Sequence, residues 1–287
     1  MKEPSVSIAV PASIVADVPS LQLKTYKIGQ IARASAIYCV DQILVYVDRI
    51  YSEQKSDSQL ICEILRYMET PQYLRKRLFP LSPTLRFAGM LPPLNTPHHP
   101  TENRLVSLKN GEYREGVVIK NHGGESLVDV GVERPLRTNV RIPTGERRTF
   151  RITRKDKEVL LEPTDASSIP EYWGYRTVEL GEPLGVFMSR KTFDLYVLTS
   201  RLGSQIVASF KNLEEGIRRS RKILIAFGSP REGLREILAR EGLNEKVADL
   251  NLNTIPGQGT LSVRTEEAVQ GTLAIINVLI RKLAQDS

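Results

Sequence analysis

Three short segments rich in Gly, Ser and Thr follow predicted strands in the second half of the chain, at residues 200–203, 228–230 and 253–264. Small side chains let backbone N–H and C=O groups approach a ligand closely, and ligands of open α/β sheets bind beyond the carboxyl ends of strands. The longest segment combines the stiff Pro256 with two glycines and could present several backbone groups to a flat base. One such segment could be an ordinary turn, but three together predict a pocket.

This predicted pocket does not fit the standard nucleotide motifs. The chain has no GxxxxGK[ST] sequence, which disfavours a P-loop. The Gly-Gln-Gly of the longest segment lacks the third glycine of the dinucleotide fingerprint and follows the last strand rather than the first. His98, His99 and His122 lie outside the three segments, so the sequence offers no general base there and predicts no metal site.

Apolar periodicity predicts alternating strands and helices at both ends of the chain. Asp57 or Ser58 is expected to cap the second helix, and Ser229 with Pro230 to start the helix after the second segment. Joining the two ends gives about five strands, with helices for both faces of a parallel sheet. The predicted strands are 6–10, 42–47, 195–199, 222–227 and 248–252, and the predicted helices are 21–37, 57–68, a stretch ending near 78, 229–241 and about 265–284.

The middle of the chain has a different pattern, which follows a proline-rich linker. Five short β-rich runs, the first at residues 104–108, are separated by turn sequences such as Asn110-Gly111. Five short strands in one segment predict a small OB-like barrel. We therefore predict a discontinuous α/β domain, residues 1–92 and 166–287, interrupted by an inserted OB-like barrel at residues 93–165.

The predicted barrel carries a dense positive charge, with nine Lys or Arg and two acidic residues between positions 134 and 157. Such a strip can neutralise phosphates, and an aromatic residue within it can stack on a base. The alternative is a solvated barrel face. Two more basic clusters, at 75–77 and 218–222, could extend a nucleic-acid path or only cap helix ends. The predicted nucleic-acid-binding residues of the strip are Arg137, Arg141, Arg147, Arg148, Phe150, Arg151, Arg154 and Lys155.

The composition is that of a basic globular protein. Its 287 residues are 41% hydrophobic and 25% charged, which argues against disorder, and the net charge of +7 favours an anionic partner. Cys39 and Cys62 lack metal-ligand spacing and are expected to be buried thiols in a cytoplasmic protein. We expect no signal peptide and no membrane span, since no apolar run is long enough.

The sequences LTSRLG, IAFGSPREGL and LNTIPGQGTLSVRTEEA resemble the SPOUT methyltransferase superfamily, and GQIARASAIYCVDQILVY extends the resemblance over nearly the whole chain. The chain is most similar to the archaeal and eukaryotic branch of RNA methyltransferases with an OB-like insert, whose eukaryotic members are linked to uridine N3 methylation. The resemblance implies a C-terminal trefoil knot, S-adenosylmethionine as cofactor and ribosomal or transfer RNA as substrate. It also implies a homodimer formed through the knot, with no metal and no membrane partner.

The resemblance also assigns roles to residues. Arg33 stands where related ribose methyltransferases have a functional arginine, although the Asn-Gly that precedes theirs is replaced by Gly29 and Gln30. Arg33 is thus the candidate catalytic residue and a candidate RNA ligand, and the alternative is a solvated helix arginine. Independently of the resemblance, Arg264 stands near the predicted pocket and is a second candidate RNA ligand; the alternative is an ion pair with Glu232 or Glu266. The implied cofactor-binding residues are Thr199, Ser200, Gly203, Gly228, Ser229, Pro230, Ile255, Pro256, Gln258, Gly259, Leu261 and Ser262.

The implied reaction is methyl transfer from a sulfonium to a nucleobase nitrogen or a ribose oxygen, for which positioning supplies most of the catalysis. The replacement of the family's Asn-Gly by Gly29 and Gln30 weakens the case for ribose methylation and leaves base methylation as the main expectation. It also favours an alternative, an RNA-binding or ribosome-assembly protein that keeps the fold without turnover. The three glycine-rich segments favour the enzyme, because a protein without a ligand has little need for all three.

Overall fold

The computed structural model describes residues 3–48, 51–155 and 158–286, which form a parallel sheet with its helices and a separate β-barrel. The strands of this part of the chain are β1 (Ser5–Pro11), β2 (Gln42–Val47), β3 (Tyr113–His122), β4 (Glu125–Asp129), β5 (Leu136–Thr138), β6 (Arg147–Lys155), β7 (Glu158–Thr164), β8 (Arg176–Pro183), β9 (Leu195–Gln205), β10 (Lys222–Ala226) and β11 (Leu250–Asn253). Its α-helices are α1 (Leu21–Ile37), α2 (Tyr51–Glu69), α3 (Gln72–Leu78), α4 (Leu184–Ser189), α5 (Phe210–Arg219), α6 (Leu234–Arg240) and α7 (Thr265–Gln285).

The sheet has six parallel strands in the order β11-β9-β10-β1-β2-β8. Strands from both ends of the chain share it, as predicted, and β1 lies at its centre with six of its seven residues buried. Burial on both faces explains why β1 and its neighbours read as continuous apolar runs. The prediction missed β8, because this edge strand is only half-buried and mixes polar with apolar residues.

Two predicted helix starts are wrong. Helix α2 begins at Tyr51, so Asp57 and Ser58 are interior residues, and the Ser58 hydroxyl instead donates to the Glu179 carboxylate at 2.9 Å. Helix α6 begins only at Leu234. The Ser229 hydroxyl does accept from the Glu232 N–H, at 3.0 Å, but it closes a turn ahead of the helix rather than capping it.

Strands β3, β4, β5, β7 and β6 form the closed barrel that the middle segment predicts. One of its expected strands is wrong, since residues 104–108 form a short 3-10 turn at Leu105–Ser107. The fifth strand is β5, whose three residues are too few to give a periodic pattern. Nine buried residues fill the barrel core, among them Val118, Phe150 and Ile152.

Contacts between residues divide the chain into two compact units. The sheet unit comprises Met1–Arg66, Thr84–Pro92 and Tyr175–Ser287, and the barrel unit comprises Tyr67–Pro83 and Pro93–Gly174. The barrel unit therefore contains α3 and the end of α2 in addition to the barrel strands. Each unit has a hydrophobic core of its own.

Candidate functional site

The three glycine-rich segments meet at one edge of the sheet unit. Strands β11, β9 and β10 are adjacent and parallel, so their carboxyl ends lie side by side. The segments surround a cavity of about 330 Å³. Gly203, Pro256 and Gly259 are not among its lining residues. The predicted cofactor residues that do line it are Thr199, Ser200, Gly228, Ser229, Pro230, Ile255, Gln258, Leu261 and Ser262.

The first segment is a bulge rather than the loop that the sequence predicts. Strand β9 continues to Gln205, but its register with β11 jumps from Leu198 to Ser204, which leaves the residues between them outside the pairing. The bulge brings β9 so close to β11 that a Cβ on Gly203 would lie 2.8 Å from the Asn251 carbonyl oxygen. Gly203 therefore shapes the bulge and does not line the cavity.

The second segment is held by bonds from two other elements. The Thr265 hydroxyl, at the start of α7, donates to the Gly228 carbonyl at 3.0 Å. The Tyr46 hydroxyl, at the end of β2, donates to the Phe227 carbonyl at 2.7 Å. Burial raises the pKa of Tyr46 well above its usual value, so its hydroxyl stays a donor. These bonds fix the backbone of this cavity wall.

The third segment has few bonds of its own. The Arg201 guanidinium donates to the Leu261 carbonyl at 2.8 Å, and the Gln258 amide donates to the Thr260 carbonyl at 2.8 Å. Within the described part of the chain, no backbone N–H of residues 257–263 donates to a protein acceptor. A Cβ on Gly259 would meet no atom within 4 Å. The backbone N–H groups of this segment are therefore available to a ligand or to water.

A buried ion cluster anchors the exit of the third segment. Lys27 of α1 places its ammonium 2.8 Å from Asp17 and 3.3 Å from Glu266, which lies in the first turn of α7. Lys27 is 4% exposed and Glu266 is 6% exposed. The cluster ties the start of α7, and with it the end of the third segment, to α1.

Replacing Lys27 with methionine is expected to lower the free energy of unfolding by about 3–5 kcal/mol, because Glu266 would remain buried without its cation. The matched control is Lys24→Met in the same helix, whose partly exposed pair with Asp57, at 2.8 Å, is worth less than about 1 kcal/mol. Urea unfolding of both variants measures the difference. Equal losses in the two variants would mean that the buried cluster adds no stability.

The two candidate arginines, Arg33 and Arg264, do not line the cavity. Arg33 is half-buried on α1, and Arg264 immediately precedes α7, with its N–H donating to the Glu267 carboxylate at 2.9 Å. The expected alternative pairs of Arg264 are wrong, because Glu232 pairs with Arg240, at 2.7 Å, and Glu266 pairs with Lys27.

Three arginines that the sequence interpretation left out line the cavity: Arg201, Arg231 and Arg235. Arg201 and Arg231 stand within or beside the predicted segments, so their positions alone could have suggested them. Arg235 is the second residue of α6, so predicting its position needed the true start of that helix. Glu232 and Glu236 also line the cavity, so the charged side chains of its lining have a net charge of +1, three arginines against two glutamates.

In the barrel unit, the residues of the basic strip have different surroundings. Arg147 donates to both carboxylate oxygens of Glu69, at 2.7 and 2.9 Å, and to Glu115 at 2.7 Å. Its guanidinium is therefore used inside the protein. Phe150 is 0% exposed in the barrel core, so the prediction that it stacks on a base is wrong. Arg147 and Phe150 are three residues apart on β6 and therefore point to opposite faces of the strand, and both faces are covered at these positions.

The remaining arginines of the strip are exposed. Arg151 lies opposite Tyr113 in the register of β6 with β3, and the Tyr113 ring contacts the Trp173 ring at 6.1 Å between centroids. These two half-buried aromatics, which sequence reasoning missed, could have been found only from the register. The side chain of Lys155 lies outside the described residues. The exposed arginines are Arg137, Arg141, Arg148, Arg151 and Arg154.

The described residues contain no cluster of three or more His, Cys, Asp and Glu side chains suited to a metal ion. None of their helices is long and apolar enough to cross a membrane.

Residues 5–276 match the protein family described as "Putative RNA methyltransferase". The chain belongs to this RNA methyltransferase family. It is 32% identical to the human 28S rRNA (uridine-N(3))-methyltransferase, over 95% of this chain and 77% of the human protein. The Drosophila melanogaster protein of the same name is also 32% identical, over 98% of this chain and 64% of its own. An uncharacterised protein of Halobacterium salinarum is 31% identical over 95% of this methyltransferase and 98% of its own length.

Proposed function

We propose that this RNA methyltransferase transfers a methyl group from S-adenosylmethionine to N3 of a uridine in ribosomal RNA. The observation that carries the proposal is the set of uridine-N3 methyltransferases matched over nearly the whole chain. The cavity between the three glycine-rich segments supports it, since it lies where open α/β sheets bind ligands. The exposed arginines of the barrel unit supply charge for an RNA partner.

The cavity fits an adenosyl cofactor. Its volume of about 330 Å³ is within the range of small-molecule sites, and its lining mixes apolar residues such as Ile255 with hydroxyl groups. The available backbone N–H groups in residues 257–263 suit the edge of a base, and Ser229 and Ser200 lie on the opposite walls. When bound, S-adenosylmethionine supplies a methyl group already activated by its sulfonium. Residues 257–263, Ser229 and Ser200 would hold the cofactor.

The protein's own groups must orient the uridine and handle the N3 proton. Loss of that proton to solvent water leaves negative charge spread over the imide, and guanidinium groups at the cavity stabilise such charge. Arg231 and Arg235 are placed to do so. We propose that Arg33 completes the cavity of a partner subunit, because it does not line the cavity of its own chain.

A homodimer is part of the proposal. Leu23, Tyr26 and Ile37 are each about half exposed on α1, and their helical spacing puts them in one stripe with Arg33. An exposed apolar stripe of this kind suits an interface with a second copy. We further propose that residues 253–264 belong to a trefoil knot within the discontinuous domain of residues 1–92 and 166–287.

The inserted domain, residues 93–165, is proposed to grip the RNA through its exposed arginines. Tyr113 and Trp173, beside Arg151, replace Phe150 as the aromatic residues for stacking. Arg264 is proposed to contact an RNA phosphate near the cavity mouth. We propose that the protein acts in the cytoplasm or wherever ribosomes are assembled.

The test has two parts. Calorimetric titration should give one S-adenosylmethionine bound per chain, with micromolar affinity. Incubation with unmodified ribosomal RNA transcripts and the cofactor, followed by nucleoside mass spectrometry, should give 3-methyluridine. A ribose-methylated product would overturn the base assignment. RNA binding without cofactor binding or methylation would favour the ribosome-assembly protein instead.

A further inference from the structure

A second cavity, of about 730 Å³, lies at the opposite edge of the sheet, where β1 and β10 begin. We call it the basic groove. Its cationic wall consists of Arg218, Arg219, Arg221 and Lys222. Its floor is apolar and comes from the ends of α5 and α7, with Ile217, Ile280 and Leu283. All of these residues belong to the sheet unit.

The groove has an excess of positive charge. Glu3 is the acidic residue among the lining residues, and Arg281 neutralises it at 2.5 Å. Within the described residues, no carboxylate lies within 4.0 Å of the Arg221 or Lys222 side chain. Asp194 accepts the backbone N–H groups of both residues instead. Arg219 is 80% exposed, with only a long pair of 3.5 Å to Glu215.

Neutralising a helix dipole does not explain the whole arrangement. Arg218 and Arg219 are in the last turn of α5, where cations stabilise the carbonyl end. Arg221 and Lys222 come after the helix, and Lys222 is the first residue of β10. Capping also needs no cavity, whereas here the cations stand around an apolar floor.

We propose that the basic groove binds a single-stranded segment of the substrate RNA. The apolar floor takes the face of a base or ribose, and the arginines take the flanking phosphates, as in other single-strand sites. The positive charge of the groove requires an anionic occupant. RNA is the anionic polymer on which this enzyme family acts. The inference rests on the proposed function and adds a second RNA-binding surface to it.

The groove and the cofactor cavity are linked by one strand. Lys222 lies in the groove and Phe227 lines the cavity, so the two sites are separated by five residues of β10, or roughly 17 Å. Stacked nucleotides advance by about 3.4 Å, so about five of them are the minimum for this distance, and a path around the buried strand β10 needs more. One RNA loop longer than this minimum can occupy both sites, with the groove holding nucleotides that flank the target uridine.

The test compares three double variants for RNA affinity across a series of salt concentrations. Arg219→Gln with Arg221→Gln neutralises the groove, Lys55→Gln with Lys246→Gln removes two exposed charges elsewhere on the sheet unit, and Arg148→Gln with Arg151→Gln neutralises the barrel strip. The groove variant should bind RNA about tenfold more weakly or worse. Its slope of log K against log salt should fall by about 1.4, or about 0.7 for each RNA phosphate that the protein no longer neutralises. Its affinity for S-adenosylmethionine should not change.

Each outcome either supports or overturns the proposal that the basic groove binds RNA. A groove variant that behaves like the Lys55 and Lys246 control overturns the groove proposal, and a barrel variant that still loses affinity leaves the proposed function standing. If the groove and barrel variants both match the control, the proposed RNA function fails as well. A lower Tm with an unchanged salt slope would show that these arginines only stabilise the helix end.

Discussion

Replacing Arg147 with methionine is expected to destabilise the barrel unit by about 3–5 kcal/mol. The guanidinium is the shared partner of two carboxylates, Glu69 and Glu115. Glu115 is only 6% exposed and also accepts from Trp173 at 2.7 Å. Removing the cation leaves both carboxylates in a buried setting without their compensating charge, which costs more than the loss of any exposed pair.

The loss of stability expected for Arg147→Met depends on pH. Burial opposes ionisation of Glu69, but the hydrogen bond with His98 and the charge of Arg147 outweigh it and lower its pKa to about 2. A carboxylate with a lowered pKa contributes stability above its unfolded value of 4.5, and this contribution is lost as the pH falls toward 2. The difference between wild type and Arg147→Met should therefore narrow over this range, since a protonated Glu69 no longer needs a cation.

His99 adds a separate acid sensitivity. Burial and the neighbouring His98 lower its pKa from 6.5 to about 4. The unfolded chain therefore takes up the proton first, and stability present above pH 6.5 is lost as the pH falls toward 4. Both the wild type and the Arg147 variant should show this loss, because burial, its largest cause, does not involve Arg147.

The measurement uses the fluorescence of Trp173, which is the one tryptophan of the chain and belongs to the same network. Urea unfolding followed by this fluorescence reports on the barrel unit. Arg148→Met is the matched control, because this neighbouring side chain pairs only with the exposed Glu146 and its loss is expected to cost less than about 1 kcal/mol. A pH-independent difference, or equal costs for the two variants, would contradict the assignment of Arg147 as a structural residue.

The contrast between Arg147 and its neighbours shows what the sequence alone supports. Charge density correctly marks the strip as basic, but the face of each side chain depends on strand register, which no local pattern gives. The same holds for Phe150, which lies between Arg148 and Arg151 in the sequence but packs in the same core as Val128 and Val130. Tyr113 and Arg151 meet only because β3 pairs with β6.

The sheet was easier to predict because its strands are buried on both faces and read as apolar runs. The half-buried β8 and the three-residue β5 carry too little of this signal to be detected. Among the site residues, the glycine-rich segments could be located because each follows a strong strand. The ion cluster of Lys27 with Asp17 and Glu266 could not, because it joins residues from two distant parts of the chain.

Replacing Gly259 with valine is expected to weaken S-adenosylmethionine binding by roughly 100-fold or more. The added side chain would meet no protein atom within 4 Å, so the fold should tolerate it. It would instead fill the open space beside the backbone donors of residues 257–263. Displacing the cofactor from two such donors loses about 1–1.5 kcal/mol each, which corresponds to roughly 100-fold in affinity.

Calorimetric titration with S-adenosylmethionine measures this effect, and Gly89→Val is the matched control. Gly89 also has open space at its Cβ position and lies in the sheet unit, but unlike Gly259 it lies outside the three glycine-rich segments. The control should bind the cofactor normally, and both variants should keep the Tm and the RNA affinity of the wild type. If Gly259→Val binds the cofactor normally, the third segment does not hold it. If RNA affinity falls together with cofactor affinity, the two ligands share this segment, and the assignment of RNA binding to the basic surfaces alone is wrong.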